Sequence, residues 1–328
     1  MEADTERATA ARIAPDQRLQ RRALGAIAGS QLLVLTLWFS ASAVAPQLEL
    51  DWGLTSGEAA GLTIAVQIGF VVGALASALL SIADVVPARR LFVISALVGA
   101  GVNVALVALS PGDTMQAFGL RFATGVALAG VYPSGLKVMA GWFRRGRGMA
   151  LGVLVGALTV GSAAPHLIRG IGLGWRGVLF TASLLAVGGA VVMFSMVGDG
   201  PYETTPSAFS WRHVGSVVSN RGVRFSTYGY LGHMWELYAM WTWTAAFLTA
   251  SALAGGYGTG WVPTATFAII GIGGAGAWLA GIAADRVLPV RVRRQALLLL
   301  AGHPGEFARE TMVSMLQSDQ EDLRLAAA

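Results

Sequence analysis

Long apolar runs alternate along the chain with short segments that are polar and basic. A helix needs about 20 largely apolar residues to cross a bilayer, and each of these runs is long enough to do so. The pattern predicts eight spans, at residues 23–48, 57–82, 91–110, 116–140, 148–171, 176–198, 225–250 and 260–283. We therefore expect an all-α membrane protein, because helices satisfy their own backbone hydrogen bonds inside lipid.

The longest polar break among the spans separates six helices from the two that follow. We therefore divide the chain into a cytoplasmic leader, a six-helix transmembrane bundle, a cytoplasmic linker, a partial second bundle and a soluble amphipathic helical tail. Their predicted bounds are 1–22, 23–198, 199–224, 225–288 and 289–328. The first apolar run is longer than the roughly 7–15 residues of a signal peptide, so we expect the leader to be retained.

Composition strengthens the membrane interpretation. The 328 residues are 55% hydrophobic and 12% charged, whereas soluble proteins carry roughly 25% charged residues. The chain has no cysteine, which excludes disulfides, thiolate metal sites and cysteine nucleophiles. Its net charge of +5 comes from cations in loops between apolar runs, which favours a lipid bilayer over nucleic acid as the partner.

The loop cations predict how the spans are oriented. Eighteen Lys and Arg residues lie in the leader and in the segments after spans two, four, six and eight, whereas the alternate loops hold only Arg169 and Arg176. An excess of Lys and Arg marks the cytoplasmic side of a membrane. We therefore expect a multi-pass protein of the cell membrane, plasma or inner, with both termini in the cytoplasm.

A short motif recurs at the end of the second helix in each predicted bundle. Residues 281–286 read GIAADR, and Asp84, Arg89 and Arg90 stand at the corresponding corner after span two. Both copies resemble the loop motif G-x-L-A-D-R-x-G-R-R of the major facilitator superfamily, although the first copy lacks the expected glycines. Parallel repeats of six helices are a known transporter design.

Two further features carry the same resemblance. Arg121 and Gly125 match the family's span-four motif, and residues 131–152 are similar to that region of nitrate/nitrite, cyanate and related anion porters. The resemblance covers roughly residues 23–288. It implies a major-facilitator-type bundle, with a complete six-helix N-terminal half and two helices of the second half.

A complete member of this superfamily has twelve spans, so we expect spans nine to twelve to be missing. After Arg294 the chain offers only the short apolar run 296–301, followed by a charged, amphipathic stretch at 305–328. A truncation, a gene-model artefact and a natural fusion all remain open.

Arg121 is the first candidate for chemistry, because it lies inside span four. An arginine inside a membrane is costly and usually faces a cavity or a partner. One interpretation, which the resemblance implies, is a binding site for an anionic group of a solute. The other is a structural arginine that is satisfied by carbonyls or reaches outward to the interface.

Span seven is the most polar of the predicted membrane helices. His233 and Glu236 are three residues apart and therefore share a face, where a titratable pair could relay protons. By resemblance, spans one, four, seven and ten line a central cavity, which would bring both residues towards Arg121. Trp235 and Tyr238 are then candidates for its substrate-binding wall. The alternative is a polar pair that holds neighbouring helices together.

Other residues are candidates for gating and packing. By resemblance, the charged corners form a conformational gate between helices, whereas the alternative is solvated loop charge. The gate residues are Asp84, Arg89, Arg90, Asp285 and Arg286.

Small residues at four positions would let helices approach closely, namely Gly125, Gly152, Gly156 and Gly161. Gln31, Gln67 and Asn103 are single polar residues in membrane helices, which is more typical of helix packing than of ligand binding.

We expect no enzyme activity, cofactor or metal, since the H-x-x-E pattern of span seven lacks the second histidine of a zinc site. The leading hypothesis is a secondary active transporter of a small organic or inorganic anion, working by proton-coupled alternating access. The alternative is a non-transporting membrane-anchored fragment or fusion whose helical tail binds an unidentified protein partner.

Overall fold

The structure is a computed structural model that describes residues 17–144, 146–202, 215 and 219–301, without the side chains of residues 83, 84 and 287–301. Every regular element within these residues is a helix. In chain order they are α1 Gln17–Leu35, α2 Ser40–Trp52, α3 Ser56–Leu79, α4 Ile82–Val85, α5 Ala88–Ala105, a 3₁₀ turn Leu106–Ala108, α6 Thr114–Ala129, α7 Tyr132–Trp142, α8 Arg147–Gly170, α9 Trp175–Met196, α10 Arg221–Ala254 and α11 Val262–Ala301.

Six segments of the described chain are long and apolar enough to cross a membrane, which is fewer than the eight predicted. They are Gln17–Trp52, Ser56–Leu79, Ala88–Ala108, Arg147–Gly170, Trp175–Met196 and Val262–Arg286. Predicted span four is divided into α6 and α7, which are 16 and 11 residues long. Predicted span seven is present as the 34-residue helix α10 but is more polar.

The division of span four has a local cause. Pro133 lies in the first turn of α7 and has no backbone N–H, so it cannot continue the hydrogen bonding of α6. The α6 helix ends at Ala129 and the next begins at Tyr132, so the chain is only briefly interrupted. We continue to use "span four" for α6 with α7 and "span one" for α1 with α2.

Span one also contains an interruption, at residues 36–39. The Thr36 hydroxyl lies 2.7 Å from the Leu33 carbonyl oxygen and 3.1 Å from that of Ala182 in α9, and it can donate to either. Carbonyls within such a bend lose their helical partners and need other donors. The bend therefore creates acceptors in the middle of the bundle.

The first six spans pack into one bundle around α1, which contacts α7, α8 and α9. We call the end of the bundle where α7 meets α8 the basic end, after the arginines of that loop. One buried cluster, which includes Ile27, Phe92 and Leu154, extends from this end to the bend of span one. A second cluster at the opposite end includes Leu62 and Trp175.

The outer faces of this bundle are also apolar. On α3, Ile68, Val71 and Leu75 are each at least half exposed, and on α9 Phe180 and Leu184 are exposed as well. Leaving one such side chain in water rather than in an apolar medium costs about 1.5–3 kcal/mol. A continuous apolar exterior of this kind fits lipid as the surrounding medium.

The two remaining long helices pack on the bundle in different ways. The α11 helix runs along α8, whereas α10 touches span one at its bend. Both helices extend past their predicted spans, since α10 begins at Arg221 inside the predicted linker and α11 continues to Ala301. The predicted tail beyond residue 301 and the leader before residue 17 lie outside the described residues, while residues 17–22 already belong to α1.

Candidate functional site

Arg121 lies in the middle of α6 and is fully buried. Its Nη1 donates to the Leu37 carbonyl at 3.2 Å, its Nη2 donates to the Trp38 carbonyl, and its Nε donates to the Leu62 carbonyl at 3.4 Å. Leu37 and Trp38 belong to the bend of span one. The guanidinium therefore ties span four to the interrupted part of span one and to span two.

A polar network extends this contact across the bundle. Asn103 of α5 accepts a hydrogen bond from Arg121 Nη1 at its Oδ1, over 3.1 Å. Its Nδ2 lies 3.0 Å from the Ser183 hydroxyl and 3.3 Å from the Leu179 carbonyl, both on α9. The Ser40 hydroxyl is 2.9 Å from Asn103 Oδ1 and also accepts from Arg121. Both polar atoms of the Asn103 amide are thus hydrogen-bonded between helices, which fits a role in helix packing.

All of these hydrogen-bond partners of Arg121 are uncharged. The geometry is that of an arginine satisfied by carbonyls, which was one of the two interpretations of the sequence. Its positive charge, however, is not balanced by any of these contacts. The middle of the first bundle is therefore electropositive.

The candidate wall residues of α10 differ in whether they pack on the bundle. The Tyr238 ring stacks on Trp38 at a centroid distance of 5.9 Å and contacts Trp241 edge-on at 6.2 Å. Trp241 in turn packs edge-on against Phe39 at 5.7 Å. Trp235, by contrast, is 82% exposed. Tyr238 therefore reaches the bend of span one, and Trp235 does not.

His233 and Glu236 are both exposed. At 3.6 residues per turn, Glu236 lies about 160° around the helix from Tyr238. The face that packs on span one is therefore nearly opposite the carboxylate. The structure does not bring Glu236 to Arg121, and proton coupling by this pair stays a prediction.

Asp285 joins α11 to the first turn of α8. Its Oδ1 accepts the Gly148 N–H at 2.8 Å, and its Oδ2 accepts the Met149 N–H at 2.7 Å. The residue before α8 is Gly146, which has no side chain to cap the helix and adopts a φ of 67°. The free N–H groups of a helix start attract a carboxylate, and here a different span supplies it.

The other gate residues are placed less centrally. Arg89 Nη1 donates to the Val197 carbonyl at 2.7 Å, which fastens the end of α9 to α5. Arg90 and Arg286 are exposed. The side chain of Asp84 lies outside the described residues, so its part in the predicted gate stays a prediction.

The four candidate packing glycines all lie where backbones meet. A Cβ at Gly125 would overlap the Val66 carbonyl of span two, and one at Gly161 would overlap the Leu32 carbonyl of span one. Gly152 and Gly156 face α11, where a Cβ would come within 2.5 Å of the Ala277 carbonyl oxygen and 2.8 Å of the Gly274 carbonyl oxygen.

Two glycines of α11 complete this contact. A Cβ at Gly281 would overlap the Gly148 carbonyl, and one at Gly274 would lie 3.0 Å from the Gly156 carbonyl oxygen. Small residues on both helices let them approach closely in a membrane. Because Asp285 is one turn beyond Gly281, the close glycine contact and the helix cap form a single interface between α8 and α11.

Sequence reasoning assigned one of two buried polar residues, Gln31, to helix packing and passed over the other, Ser134. Gln31 on α1 is fully buried, and neither its Oε1 nor its Nε2 has a hydrogen-bond partner. Ser134 on α7 is 1% exposed, and its hydroxyl is also without a partner. The signal in the sequence was the lone polar residue in an apolar helix, which cannot distinguish an unsatisfied amide from a satisfied one such as Asn103.

Among the described residues, no group of three or more His, Cys, Asp and Glu side chains is placed to hold a metal ion. A family model described as Major Facilitator Superfamily matches residues 27–303 of the chain. A comparison with curated proteins found no match.

Proposed function

The chain belongs to the major facilitator superfamily, whose members are secondary transporters of small solutes, and we propose that it carries a small organic or inorganic anion by proton-coupled alternating access. As a multi-pass membrane protein, it would lie in the cell membrane with both termini in the cytoplasm. The excess of loop cations at the basic end supports this orientation.

The observation that carries the anion proposal is the buried charge of Arg121. The guanidinium is fully buried among uncharged partners. A charge removed from water is stabilised by an opposite charge nearby, and a solute anion entering the bundle would provide one. In this proposal Arg121 attracts the anion through its charge, while its hydrogen bonds hold the bend of span one.

Proton coupling is assigned to His233 and Glu236. A carboxylate within a membrane helix has to be protonated, paired or in contact with water, and His233 lies one turn away from Glu236 on the same face. Their location on the exposed side of α10 supports access to water or to a further polar surface. Neither residue is engaged in the packing of α10 on span one.

Alternating access requires helices of the two bundles to separate and close again. The contact between Asp285 and the start of α8 is a candidate for the lock that holds one state. A carboxylate at a helix start forms charge-assisted hydrogen bonds, each stronger than a neutral one. Separation of α11 from α8 would break both hydrogen bonds that Asp285 accepts from the start of α8.

The test is transport by the purified full chain in liposomes. With an inward proton gradient, the wild-type chain should take up nitrate, formate or acetate faster than protein-free liposomes do. Glu236→Gln should abolish the dependence on the gradient, and Arg121→Ala should reduce uptake at least tenfold. Matched substitutions outside the proposed site, Glu49→Gln and Arg224→Ala, should leave the uptake rate and its dependence on the gradient unchanged. If Arg121→Ala and Glu236→Gln transport like the wild type, the assignment of these residues fails.

A further inference from the structure

Buried polar side-chain atoms without partners are confined to three spans of the described chain. Within the described residues, every such side-chain atom belongs to span one, four or five. These spans pack against one another, since α1 contacts both α7 and α8. A buried amide or hydroxyl that lacks a hydrogen bond costs about 1–3 kcal/mol, so this region favours an occupant that can form hydrogen bonds.

Gln31 is the most pronounced case. Both polar atoms of its amide are buried and unpartnered, which means that two donors and an acceptor are unused. Its Oε1 lies against Gly135 of α7, where a Cβ would overlap it, and the Phe92 ring lies 3.6 Å from the position of that Cβ. A glycine at position 135 thus provides the room that the amide occupies.

Ser134 is a second buried polar group on α7, adjacent in the chain to Gly135. It precedes Gly135 in α7, is 1% exposed, and its Oγ has no partner. A hydroxyl can donate one hydrogen bond, and the amide can donate two. Together they provide donors from two spans in an apolar setting that Phe92 helps to form.

The charge of Arg121 selects what these donors would bind. Gln31 precedes Leu37, whose carbonyl accepts from Arg121, by six residues in the chain, which is about 9 Å along a helix. An oxygen atom that carries negative charge would accept from the amide and the hydroxyl and would also be attracted by the guanidinium. A cation would be repelled by the same charge.

We infer that Gln31 and Ser134 form a binding site for a small oxyanion between spans one and four. This inference rests on the proposed transport of an anion and assigns the direct contacts to residues other than Arg121. The oxyanion binds through hydrogen bonds to its oxygens, and Arg121 acts on it through its charge while remaining bonded to carbonyls.

The first experiment measures the concentration dependence of nitrate, formate and acetate uptake into liposomes. Gln31→Leu removes both polar atoms at similar volume, and Ser134→Ala removes a single hydroxyl. Each should raise KM for the transported anion at least tenfold, as expected for the loss of a hydrogen bond to a charged group, with a smaller change in the maximal rate. Gln67→Leu is the matched control in span two and should leave KM unchanged.

The second experiment measures binding without transport. Thermal unfolding of the full chain in detergent is followed in nitrate, formate or acetate, with chloride at equal ionic strength as the reference. A bound anion stabilises the folded state in proportion to the logarithm of its concentration above Kd. The wild type and Gln67→Leu should be stabilised by at least one of the three anions, and Gln31→Leu and Ser134→Ala should not.

The outcomes separate this site from the proposed function. Uptake with an unchanged KM in both Gln31→Leu and Ser134→Ala overturns the site and leaves transport standing. Stabilisation that depends on Gln31 without any uptake supports the site and overturns transport of that anion. If none of the three anions stabilises the wild-type chain, the site is overturned. If Gln31→Leu does not fold, Ser134→Ala decides.

Discussion

At the level of single residues, the guanidinium of Arg121 and the bend of span one depend on each other. The bend leaves the Leu37 and Trp38 carbonyls without helical partners, and Arg121 donates to both. Lysine has the same charge but one compact ammonium group, which cannot reach acceptors on spans one and two in the way a planar fork can. The charge and the shape of this side chain therefore have separate consequences.

We expect Arg121→Met to lower the free energy of unfolding by about 3 kcal/mol or more, because several buried acceptors lose their donor at once. Arg121→Lys should lower the free energy of unfolding by nearly as much, because it retains the charge but loses most of the hydrogen bonds. Thermal or denaturant unfolding in detergent measures both. Arg224→Met on the exposed start of α10 is the control, and an Arg121→Lys chain as stable as the wild type would contradict the structural role.

The bend also shows where the sequence is informative about single residues and where it is not. Arg121 was identifiable because a charge within an apolar run is conspicuous. Residues 36–39 read Thr-Leu-Trp-Phe, with neither glycine nor proline, so nothing local predicts an interruption. The groups that hold it are more than 80 residues away, and such contacts leave no trace in local periodicity.

At the level of helices, the contact between α8 and α11 combines close glycine packing with a helix cap. Gly148 takes part in both, since its backbone touches Gly281 and its N–H bonds Asp285. The two residues of this bond are 137 positions apart in the chain. Opening the interface at this end would break the packing and the cap together, so we expect the contact to favour two discrete states over gradual movement.

Removal of the Asp285 charge should shift this interface towards its open state. Asp285→Asn retains the shape but weakens both hydrogen bonds, and an effect of about 1–2 kcal/mol raises the open population roughly tenfold. Because the natural chain has no cysteine, the reaction of Met149→Cys with a maleimide reports the opening directly. We expect labelling to be about ten times faster in the Asp285→Asn background.

The matched control for that experiment is Asp51→Asn, an exposed carboxylate at the opposite end of the bundle. It should leave the labelling rate of Met149→Cys unchanged. Equal rates in the Asp285→Asn and wild-type backgrounds would mean that the cap does not hold the interface closed.

Helix positions were predictable where the sequence itself marks the ends. The structure has Arg147–Gly170 and Trp175–Met196, within two residues of predicted spans five and six, because glycines and arginines bound these runs. Span seven was predicted to begin at 225, but α10 begins at Arg221, where the Asn220 side chain accepts from the N–H groups of Gly222 and Val223. In the structure, Tyr238 and Trp241 mark the face of α10 that packs on span one. The sequence could not predict this face, because aromatic residues occur on nearly every turn of the helix.

At the level of the whole molecule, the polar segments at the two ends of the bundle differ in charge. The basic end carries Arg89, Arg144 and Arg286, whereas the turn between α10 and α11 holds no arginine. Tyr257 in that turn is 70% exposed. By the positive-inside rule, we expect this turn to lie outside the cell.

This orientation can be measured with single cysteines in the natural cysteine-free background. Tyr257→Cys should react with a membrane-impermeant maleimide on intact cells, whereas Arg90→Cys should react only after permeabilisation. Both positions are exposed, so a difference between them reports sidedness. Reaction of Tyr257→Cys only after permeabilisation would reverse the proposed topology.

The distance in sequence between Gly148 and Asp285 has a consequence for biosynthesis. A ribosome that adds about 5–20 residues per second needs roughly 7–27 s to make the 137 residues between them. During that interval spans five and six are themselves made, and until Asp285 follows the amino end of α8 relies on water or lipid headgroups for its hydrogen bonds. The part of the chain already made must therefore be held together in the bilayer by its own packing until Asp285 is synthesised.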